Sequence, residues 1–530
     1  GIAGCFAAIK AGQKVKNVTL VDKGYVSRSG QSPYAGAIMV FNPELGHKLD
    51  TWVDFVSMVG EYINNREWTK VIINDSYPRY QDLVSWGVKF PQGDGAPPGP
   101  PSPLGGNETL RIGTDTLQIL RQQVVKSGVK IIDRVMVTEL LKQNNKITGA
   151  MGISTDRDDL YVFRAKSTVL CTGAAGFKPP GWPISNLTAD GHAMAYRAGA
   201  EISGKEFLDT HFTRADRPAA RGGMGPGPRP PADPEAEKEQ SRPRKSMVFV
   251  NAEGDEISSE GLLVGQERYL ALEHEAHAGR APLLMRGNPV VGGTASGMSV
   301  HSTEGLWPVN TLGASSLPGL YAAGDSCSTM QSGAVYAIAG SALMTAAVTG
   351  ARAGTAAAEF SLHADMPALD NDGAERLKKI IYTPFERKGG FSPRWVTQLL
   401  QNLMIPYYVM YIKHEKRLQA TLTLVEFLRD HLVPKLTAKD QHELRMAIET
   451  RNMVLNAEMR LRAGLFRKES RGCHYREDYP RRDDPNFLAW VLLKEVNGKM
   501  TVFKKPVPRE WWPDLATPYE ERYPSRFPGE

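Results

Sequence analysis

The sequence predicts a multidomain α/β chain with a helical domain towards its carboxyl end. Two short apolar strands, in residues 167–173 and 319–325, end in glycine turns, and a third strand at 18–22 follows a helix that begins among glycines. Charged amphipathic helices over 395–431 and 438–465 replace this pattern later in the chain. The first pattern is typical of parallel sheets that bind a dinucleotide, and the second of a separate helical domain.

The remaining elements follow from local patterns of apolar residues, glycine and proline. A strand at 129–137 precedes a β-hairpin or meander at 147–165. Two stretches dense in proline and glycine, 90–106 and 221–234, are incompatible with helix or central strand and predict surface loops. Helices are predicted at residues 4–11, 116–127, 189–200 and 340–359.

The length and the net charge of the chain limit the kinds of protein to which it can belong. A chain of 530 residues exceeds what one compact core accommodates, so several domains are expected. The net charge of +6 is modest for this length and basic residues are interspersed with acidic ones, so nucleic-acid binding is not expected. No run of residues is long and apolar enough to predict a transmembrane segment.

The four cysteines, Cys5, Cys171, Cys327 and Cys473, lie far apart in the sequence. None forms a pair with the spacing of a zinc site or an iron–sulfur cluster, so we expect no metal site built within this chain. Their scarcity also argues against a disulfide framework. It favours a reducing, cytoplasmic compartment.

The amino end carries part of a dinucleotide-binding fingerprint. Gly1 and Gly4 fit its second and third glycines, and Asp22 closes the next strand near the offset at which an acidic residue accepts ribose hydroxyls. Glycines before a helix can also form a simple turn. The further strand endings Thr172-Gly173 and Gly324-Asp325 favour the first interpretation, because they indicate that separate strand ends converge on one long ligand.

Seven motifs, in order along nearly the whole chain, carry a family resemblance. They are Gly1-Ile-Ala-Gly4, Val21-Asp-Lys23, Arg28-Ser-Gly30, Thr172-Gly173, Asp190-Gly191, Gly319-Leu-Tyr-Ala-Ala-Gly-Asp325 and Glu469-Ser-Arg-Gly-Cys-His-Tyr-Arg-Glu-Asp-Tyr-Pro480. With them the chain resembles the fumarate reductase and succinate dehydrogenase flavoproteins. The segment 464–470 and the helices before it look closest to the adenylylsulfate reductase alpha-subunit branch.

The resemblance implies that FAD is the cofactor. Membrane-complex relatives attach FAD to a histidine directly after an Arg-Ser pair, whereas Gly30 follows Arg28-Ser29 here, so non-covalent FAD is expected. The positions implied to bind FAD are Gly1, Gly4, Asp22, Lys23, Ser29, Gly30, Thr172, Gly173, Asp190, Gly324, Asp325, Ser341 and Leu343.

The resemblance also implies the domain order. A discontinuous, Rossmann-like FAD-binding domain occupies residues 1–204 and 296–365, with an α+β capping domain inserted at 205–295. A helical domain follows at 366–465. The segment 466–530 is expected to wrap over other surfaces rather than fold alone.

Four side chains match, by resemblance, residues that act on substrate beside the flavin. His301 matches the histidine that contacts substrate, and His211 resembles a second histidine; a buried structural histidine and a packing histidine are the alternatives. Arg214 is a candidate to bind an anion and Arg268 lies near the proton-shuttling arginine of the capping domain. For both arginines an exposed, salt-bridging role is the alternative.

Tyr336 marks a departure from the family. Dicarboxylate enzymes of the family carry Gly-Ala-Asn-Arg where this sequence has Gly333-Ala-Val-Tyr336. Tyrosine donates one hydrogen bond and cannot form the charged fork with which arginine holds a carboxylate. The departure argues against succinate or fumarate as substrate.

Electrons have to leave or enter the chain by another route, because it lacks a second nucleotide fingerprint and the cysteines for a cluster. An iron–sulfur partner subunit, and hence a hetero-oligomer, is the expectation. A ferredoxin-like partner of acidic surface could dock on a basic face, or that face is an ordinary solvated one. Its predicted members are Arg462, Arg467, Lys468, Arg471, Arg481 and Arg482.

Three hypotheses for function follow. The first is an FAD-dependent two-electron oxidoreductase acting on a small anionic molecule. The second is an adenylylsulfate reductase-like enzyme of sulfur metabolism, although the residues after Gly324-Asp325 do not reproduce the Ser-Ser-Gly-Ser run of that enzyme. The third is a non-catalytic FAD electron-transfer subunit.

Overall fold

A computed structural model describes most of the chain, and its side chains define an α/β body joined to a helical region. Among the described residues, no helix combines the length and apolar character needed to cross a bilayer. The described residues are 1–90, 104–179, 184–208, 213–214, 249–257, 275, 279–285, 288–291, 301–523, 527 and 529–530.

The first part of the body alternates helices with short strands, of which α1, β1 and α4 lie where the sequence predicts them. Strand β1 pairs in parallel with β4, with Thr19 opposite Lys130, and β2 pairs antiparallel with β3. The elements are α1 (Ile2–Gly12), β1 (Thr19–Val21), β2 (Ala37–Met39), α2 (Leu49–Val59), α3 (Arg66–Ser85), β3 (Thr109–Arg111), α4 (Thr116–Lys126) and β4 (Lys130–Ile132).

The prediction of a single strand at 129–137 is wrong in one respect. The structure has two strands there, β4 (Lys130–Ile132) and β5 (Val135–Gln143). Arg134 separates them with a left-handed backbone (φ 59°), and the carboxylate of Asp133 accepts hydrogen bonds from Val26 N and from Arg121. The β1–β4 ladder ends at Ile132, and the chain turns at Arg134 into the next strand. An antiparallel meander then follows, formed by β5 (Val135–Gln143), β6 (Lys146–Ser154) and β7 (Leu160–Arg164).

Two strands distant in sequence meet in the middle of the body. Strand β8 (Thr168–Leu170) pairs in parallel with β15 (Leu320–Ala322), with Thr168 opposite Leu320. Parallel strands end at the same edge of a sheet, so the glycine turns that follow them lie side by side. Helix α5 (Asp190–Ala198) lies between them in sequence and leads into β9 (Ile202–Ser203).

Helix α6 (Ser341–His363) crosses α1 at close range. A Cβ atom placed on Gly350 would lie 2.4 Å from the carbonyl oxygen of Ala3, and one on Gly354 would lie 2.2 Å from that of Ala7. The two backbones therefore touch, which the small residues of both helices permit.

The region expected to cap the site is described in part. It contains an antiparallel sheet in the order β10–β13–β12–β11, built from β10 (Thr213–Arg214), β11 (Phe249–Val250), β12 (Leu283–Met285) and β13 (Asn288–Val291). The loop predicted at 221–234 lies outside the described residues. So does most of the loop predicted at 90–106, of which residues 104–106 are described.

The helical region follows α6. Its long helix α11 packs against α8 and α10 through buried residues such as Leu400, Leu422 and Val454. The elements are α7 (Asn371–Glu386), α8 (Pro393–Met404), α9 (Tyr407–Met410), β16 (Ile412–Lys413), α10 (Glu415–Phe427) and α11 (Gln441–Phe466).

The last segment returns to the α/β body instead of forming a core of its own. A hairpin of β18 (Ala489–Val496) and β19 (Lys499–Pro506) extends a four-stranded sheet, in which β18 pairs with β9 and β9 with β14 (Gly305–Leu306). The hairpin is preceded by β17 (Tyr475–Arg476) and α12 (Asp484–Phe487) and followed by α13 (Tyr519–Arg522).

Candidate cofactor and substrate site

A long cavity of about 1260 Å³ runs through the α/β body, where the ends of the strands meet. It exceeds the roughly 300–1,000 Å³ of most small-molecule sites, as a site for a dinucleotide would. Its wall contains most of the positions predicted to bind cofactor, together with two predicted to act on substrate. These are Gly1, Gly4, Asp22, Lys23, Ser29, Gly30, Thr172, Gly173, Asp190, Gly324, Asp325, Leu343, His301 and Tyr336.

The start of α1 forms one part of this wall. A Cβ on Gly1 would lie 2.6 Å from the hydroxyl of Ser32, which accepts a hydrogen bond from Ile2 N. Gly4 lies against Cys171 and Leu20, at ordinary contact distance for an added Cβ. The helix start therefore sits directly on the strands, where the N–H groups that follow Ile2 N in the first turn and lack intrahelical partners favour a phosphate.

Two strand ends form the middle of the wall. Gly173 and Gly324 adopt left-handed backbone, with φ of 77° and 61°, a conformation that favours glycine. The hydroxyls of Thr172 and Ser326 lie 2.9 Å apart, and Gly324 N donates to Thr349 on α6. The ends of the two strands therefore meet at this part of the cavity, as the sequence predicts.

The start of α6 supplies a test of whether FAD fits. Ser341 is buried, and its hydroxyl has no hydrogen-bond partner among the described residues; the hydroxyl of Thr345, one turn later, has none either. Ser341 itself does not line the cavity, but its neighbours Ala342 and Leu343 do. Buried polar atoms are ordinarily paired, so unpaired hydroxyls next to this space suit polar atoms of a ligand. The residues present fit FAD.

Gly30 lies on the wall with φ of 78° and open space around the position a Cβ would take. Glycine has no side-chain nitrogen, so no covalent flavin bond forms at this position. Ser29 closes the same turn, because its hydroxyl accepts a hydrogen bond from Tyr25 N at 2.7 Å.

Lys23 and Asp190 pair with each other at the cavity wall. The Nζ of Lys23 lies 2.7 Å from a carboxylate oxygen of Asp190 and 2.9 Å from one of Glu449 on α11. Burial opposes the charge on Lys23, but the two carboxylates outweigh it and raise the pKa of Lys23. Their charged groups thus join the α/β body to the helical region.

His301, which also lines the cavity, contacts two residues that are distant from it in sequence. Its Nδ1 lies 2.9 Å from a carboxylate oxygen of Asp325, and its ring meets that of Tyr336 edge-on with centroids 5.3 Å apart. The second oxygen of Asp325 accepts hydrogen bonds from Ser302 N and from the Ser302 hydroxyl.

A buried charged cluster lies behind Asp325, and sequence reasoning missed it. Lys205 donates to His192 Nδ1 and pairs with Glu304, which also pairs with Arg460 of α11. Burial opposes ionisation of Glu304, yet Arg460 and Lys205 lower its pKa to about 2. The Lys205-Glu206 pair within an otherwise apolar and small-residue segment is the signal that was available.

Of three further residues predicted to act on substrate, the structure describes only the backbone of one. His211 and Arg268 lie outside the described residues. The backbone of Arg214 pairs with Val290 in the sheet of the capping region, and its side chain is not described. Within the described part of the chain, no group of three or more histidine, cysteine or acidic side chains is arranged to hold a metal ion.

The basic face predicted for a partner is wrong for three of its six members. Arg467, Arg471 and Arg482 are buried and paired with carboxylates inside the molecule, such as Glu206, Asp484 and Glu61 respectively. Arg462 is partly buried and paired with Glu426 and Glu458. Lys468 and Arg481 keep about half of their side chains exposed.

Comparison with known proteins agrees with this geometry. The family described as "FAD binding domain" matches residues 1–254, and that described as "Fumarate reductase flavoprotein C-term" matches residues 397–523. One chain of the CoM/CoB fumarate reductase of Methanothermobacter marburgensis is 27% identical, over 94% of this chain and 96% of the relative. The fumarate reductase flavoprotein subunit of Mycobacterium tuberculosis is also 27% identical, over 97% of each chain.

Solved structures share the fold at low identity. Adenylylsulfate reductase of Archaeoglobus fulgidus superposes with a TM-score of 0.75 at 22% identity, covering 96% of this chain and 94% of the other. Quinol fumarate reductase of E. coli superposes with a TM-score of 0.77 at 17% identity, covering 99% and 98%. Both likenesses extend over the α/β body and the helical region together.

Proposed function

Because this chain belongs to the fumarate reductase and succinate dehydrogenase flavoprotein family, we propose that it is a dehydrogenase or reductase of a small anion other than succinate or fumarate. It is an FAD-dependent oxidoreductase. The observation that carries the proposal is the cavity that joins the glycine start of α1 to the His301 side chain. A cofactor held along it would meet substrate at the histidine end.

Different residues along this cavity would hold the two ends of the cofactor and the proton that the reaction needs. Gly1, Gly4 and Asp22 would hold the adenosine and pyrophosphate end, and the start of α6 would hold the ring end. FAD, when bound, supplies the two-electron chemistry. His301 would hold or move the proton that accompanies it, since an imidazole ionises near neutral pH.

The substrate class rests on Tyr336. A dicarboxylate site of this family needs an arginine fork at that position, and the tyrosine here lies edge-on to His301. Its hydroxyl accepts a hydrogen bond from Ala342 N at the start of α6, at 3.3 Å. A single neutral phenol in place of a cation favours an anion with fewer charged groups at this point than succinate has.

The electron carrier in this proposal is a separate iron–sulfur protein. The sequence offers no second nucleotide fingerprint, and its four cysteines are too widely spaced for a cluster motif. With Arg467, Arg471 and Arg482 buried, an acidic partner would dock without these three charges. Lys468 and Arg481 remain candidates, since both are half exposed.

Two measurements test the proposal. Acid precipitation of the purified protein should release FAD into the supernatant, leaving the pellet colourless. Reduced methyl viologen should then be oxidised in the presence of at least one member of a panel of small unsaturated anions, but not of fumarate, and adenylylsulfate is assayed beside the panel. Turnover of adenylylsulfate alone would support the second hypothesis, and turnover of no panel member in either direction would contradict the proposed activity.

A further inference from the structure

We propose that Asp325 is a positioning residue for His301, fixing the orientation of the imidazole and keeping a proton on its Nδ1. This inference rests on the proposed function, in which His301 faces substrate. Asp325 was predicted to bind cofactor. It lines the cavity, and both oxygens of its carboxylate also accept hydrogen bonds from the loop that carries the histidine.

The contacts of the carboxylate define its role. Ser302 N and the Ser302 hydroxyl donate to Oδ1 at 2.9 and 3.1 Å, so Oδ2 is turned to His301 Nδ1 at 2.9 Å. Ser302 adopts left-handed backbone, with φ of 57°, while making these bonds. Such a conformation is uncommon for a residue other than glycine and persists where the surroundings enforce it. The loop is therefore held around the carboxylate.

The backbone of Asp325 is fixed from the opposite side. Lys205 has hydrogen-bond donors and no acceptor, so His192 Nδ1 must accept from it, and the proton of a neutral His192 lies on Nε2. That Nε2–H donates to the carbonyl oxygen of Asp325 at 3.2 Å. Burial, and then the charge of Lys205, lower the pKa of His192 to about 3, which keeps it in this neutral form.

The charged and titratable groups around the pair come from several elements. Tyr336 lies against the imidazole itself, while His192, Lys205 and Glu304 lie behind Asp325, with Arg460 of α11 beyond them. Glu304 also accepts a hydrogen bond from Ala175 N, next to the turn that follows β8. The turn bearing Asp325 is thus tied to both halves of the α/β body and to the helical region.

One chemical consequence follows for His301. A carboxylate accepts and cannot donate, so the neutral imidazole carries its proton on Nδ1 and its lone pair on Nε2. When His301 takes up a proton at Nε2 it becomes a cation beside an anion, and when it gives the same proton to substrate it returns to the Nδ1–H form. One proton moves in each direction, and the carboxylate of Asp325 acts only as a hydrogen-bond acceptor.

The tautomer of His301 tests the inference directly. In protein labelled with ¹⁵N-histidine, loss of one signal in His301→Gln assigns the residue among the 11 histidines. Wild-type protein should show the Nδ1–H form at high pH. Asp325→Asn, whose amide can donate to Nδ1, should shift the signal to the Nε2–H form and reduce kcat by roughly 10²–10⁴-fold. Ser302→Ala, which leaves the carboxylate in place, should keep the wild-type tautomer.

Several outcomes would overturn the inference. An Nε2–H tautomer in the wild type does so without any variant, even if Asp325→Asn fails to fold. Loss of FAD from Asp325→Asn with an unchanged His301 tautomer would make Asp325 a cofactor ligand instead. The tautomer measurement needs no substrate, so it stands or falls separately from the substrate panel that tests the proposed function.

Discussion

The Nδ1 atom of His301 and a carboxylate oxygen of Asp325 lie 2.9 Å apart, although 24 positions separate the two residues in sequence. They meet because Leu306, shortly after the histidine, bridges to Cys327, shortly after the aspartate. This bridge aligns the loop before β14 with the turn after β15. A histidine oriented by a carboxylate at the end of a cofactor cavity is the arrangement expected of a group that transfers protons.

His301→Gln should remove proton transfer and leave cofactor binding intact. Glutamine keeps polarity and approximate size but does not ionise, so turnover should fall by roughly 10²–10⁴-fold while the FAD content of the purified protein is unchanged. His363→Gln is the matched control, because His363 lies exposed at the end of α6. Equal rates for both variants would favour either a different active site or the non-catalytic electron-transfer subunit.

Tyr336→Arg should introduce affinity for a dicarboxylate. A charged, bidentate hydrogen bond stabilises a bound carboxylate by about 1.5–3 kcal/mol, so fumarate reduction at limiting substrate should rise about tenfold or more. Tyr336→Phe removes the hydroxyl without adding charge and should not produce this gain. Rapid reduction of fumarate by the unaltered protein would contradict the reason given for excluding that substrate.

Glu449 should make stability depend on pH. Burial opposes its ionisation, but Lys23, Lys178 and Arg445 outweigh this effect and lower the pKa of Glu449 from 4.5 to about 2. A lowered pKa stabilises the fold above pH 4.5, and this stabilisation, of about 3 kcal/mol, is lost as the pH falls from 4.5 towards 2. The difference in unfolding free energy between wild type and Glu449→Gln should therefore shrink below pH 4.5.

Urea unfolding at several pH values measures this difference. Glu375→Gln is the control, since Glu375 is about two-thirds exposed beside Lys378 and should change stability little at any pH. A Glu449→Gln deficit that is as large at about pH 3 as at about pH 7 would show that the lysines do not act through the charge of Glu449.

The sequence predicts those features that short stretches of chain determine. The apolar strands ending at Thr172-Gly173 and Gly324-Asp325 are visible locally, and parallel pairing brings their ends together whatever lies between. Helix α6 is likewise predicted from its own residues. The positions that the family resemblance implies for FAD lie in the cavity wall, with the exception of Ser341.

Pairs formed across hundreds of residues could not be predicted in the same way. Arg482 pairs with Glu61, and Arg471 donates to the carbonyl oxygen of Glu61, from the far end of the chain. Arginine is seldom buried unless it is paired with an acidic group. A cluster of arginines whose partners are not known from the sequence therefore predicts an exposed surface. The hydrogen bond between Asp325 and His301 could not be predicted for a similar reason, because the turn after β15 is a local feature and its contact with a residue 24 positions away is not.

Lys205→Met should destabilise the protein by about 3 kcal/mol. Lys205 is fully buried, and its loss leaves Glu304 with Arg460 as its remaining cation and His192 without its donor. Lys494→Met is the control, because Lys494 pairs with Glu201 at 3.5 Å in a partly exposed position. Urea unfolding of both variants measures the difference, and similar midpoints would contradict a structural role for the buried cluster.

Gly354→Ala tests the contact between α6 and α1, and the sign of its effect is decisive. Helix propensity alone predicts that alanine in a helix interior stabilises by up to about 1 kcal/mol. At Gly354, however, the added Cβ would lie 2.2 Å from the carbonyl oxygen of Ala7, so the helices must separate. Overpacking of this kind costs about 1–3 kcal/mol, and the net effect should be a lower melting temperature.

The same variant should weaken FAD binding, since α1 carries Gly1 and Gly4 at the cavity wall and moves with the displaced contact. Gly389→Ala is the matched control, because its added Cβ has open space and its backbone is not left-handed. Thermal unfolding with and without added FAD measures both effects. A melting temperature for Gly354→Ala at or above that of Gly389→Ala would mean that propensity outweighs the contact, and that α1 is not held by α6 as closely as its backbone distances require.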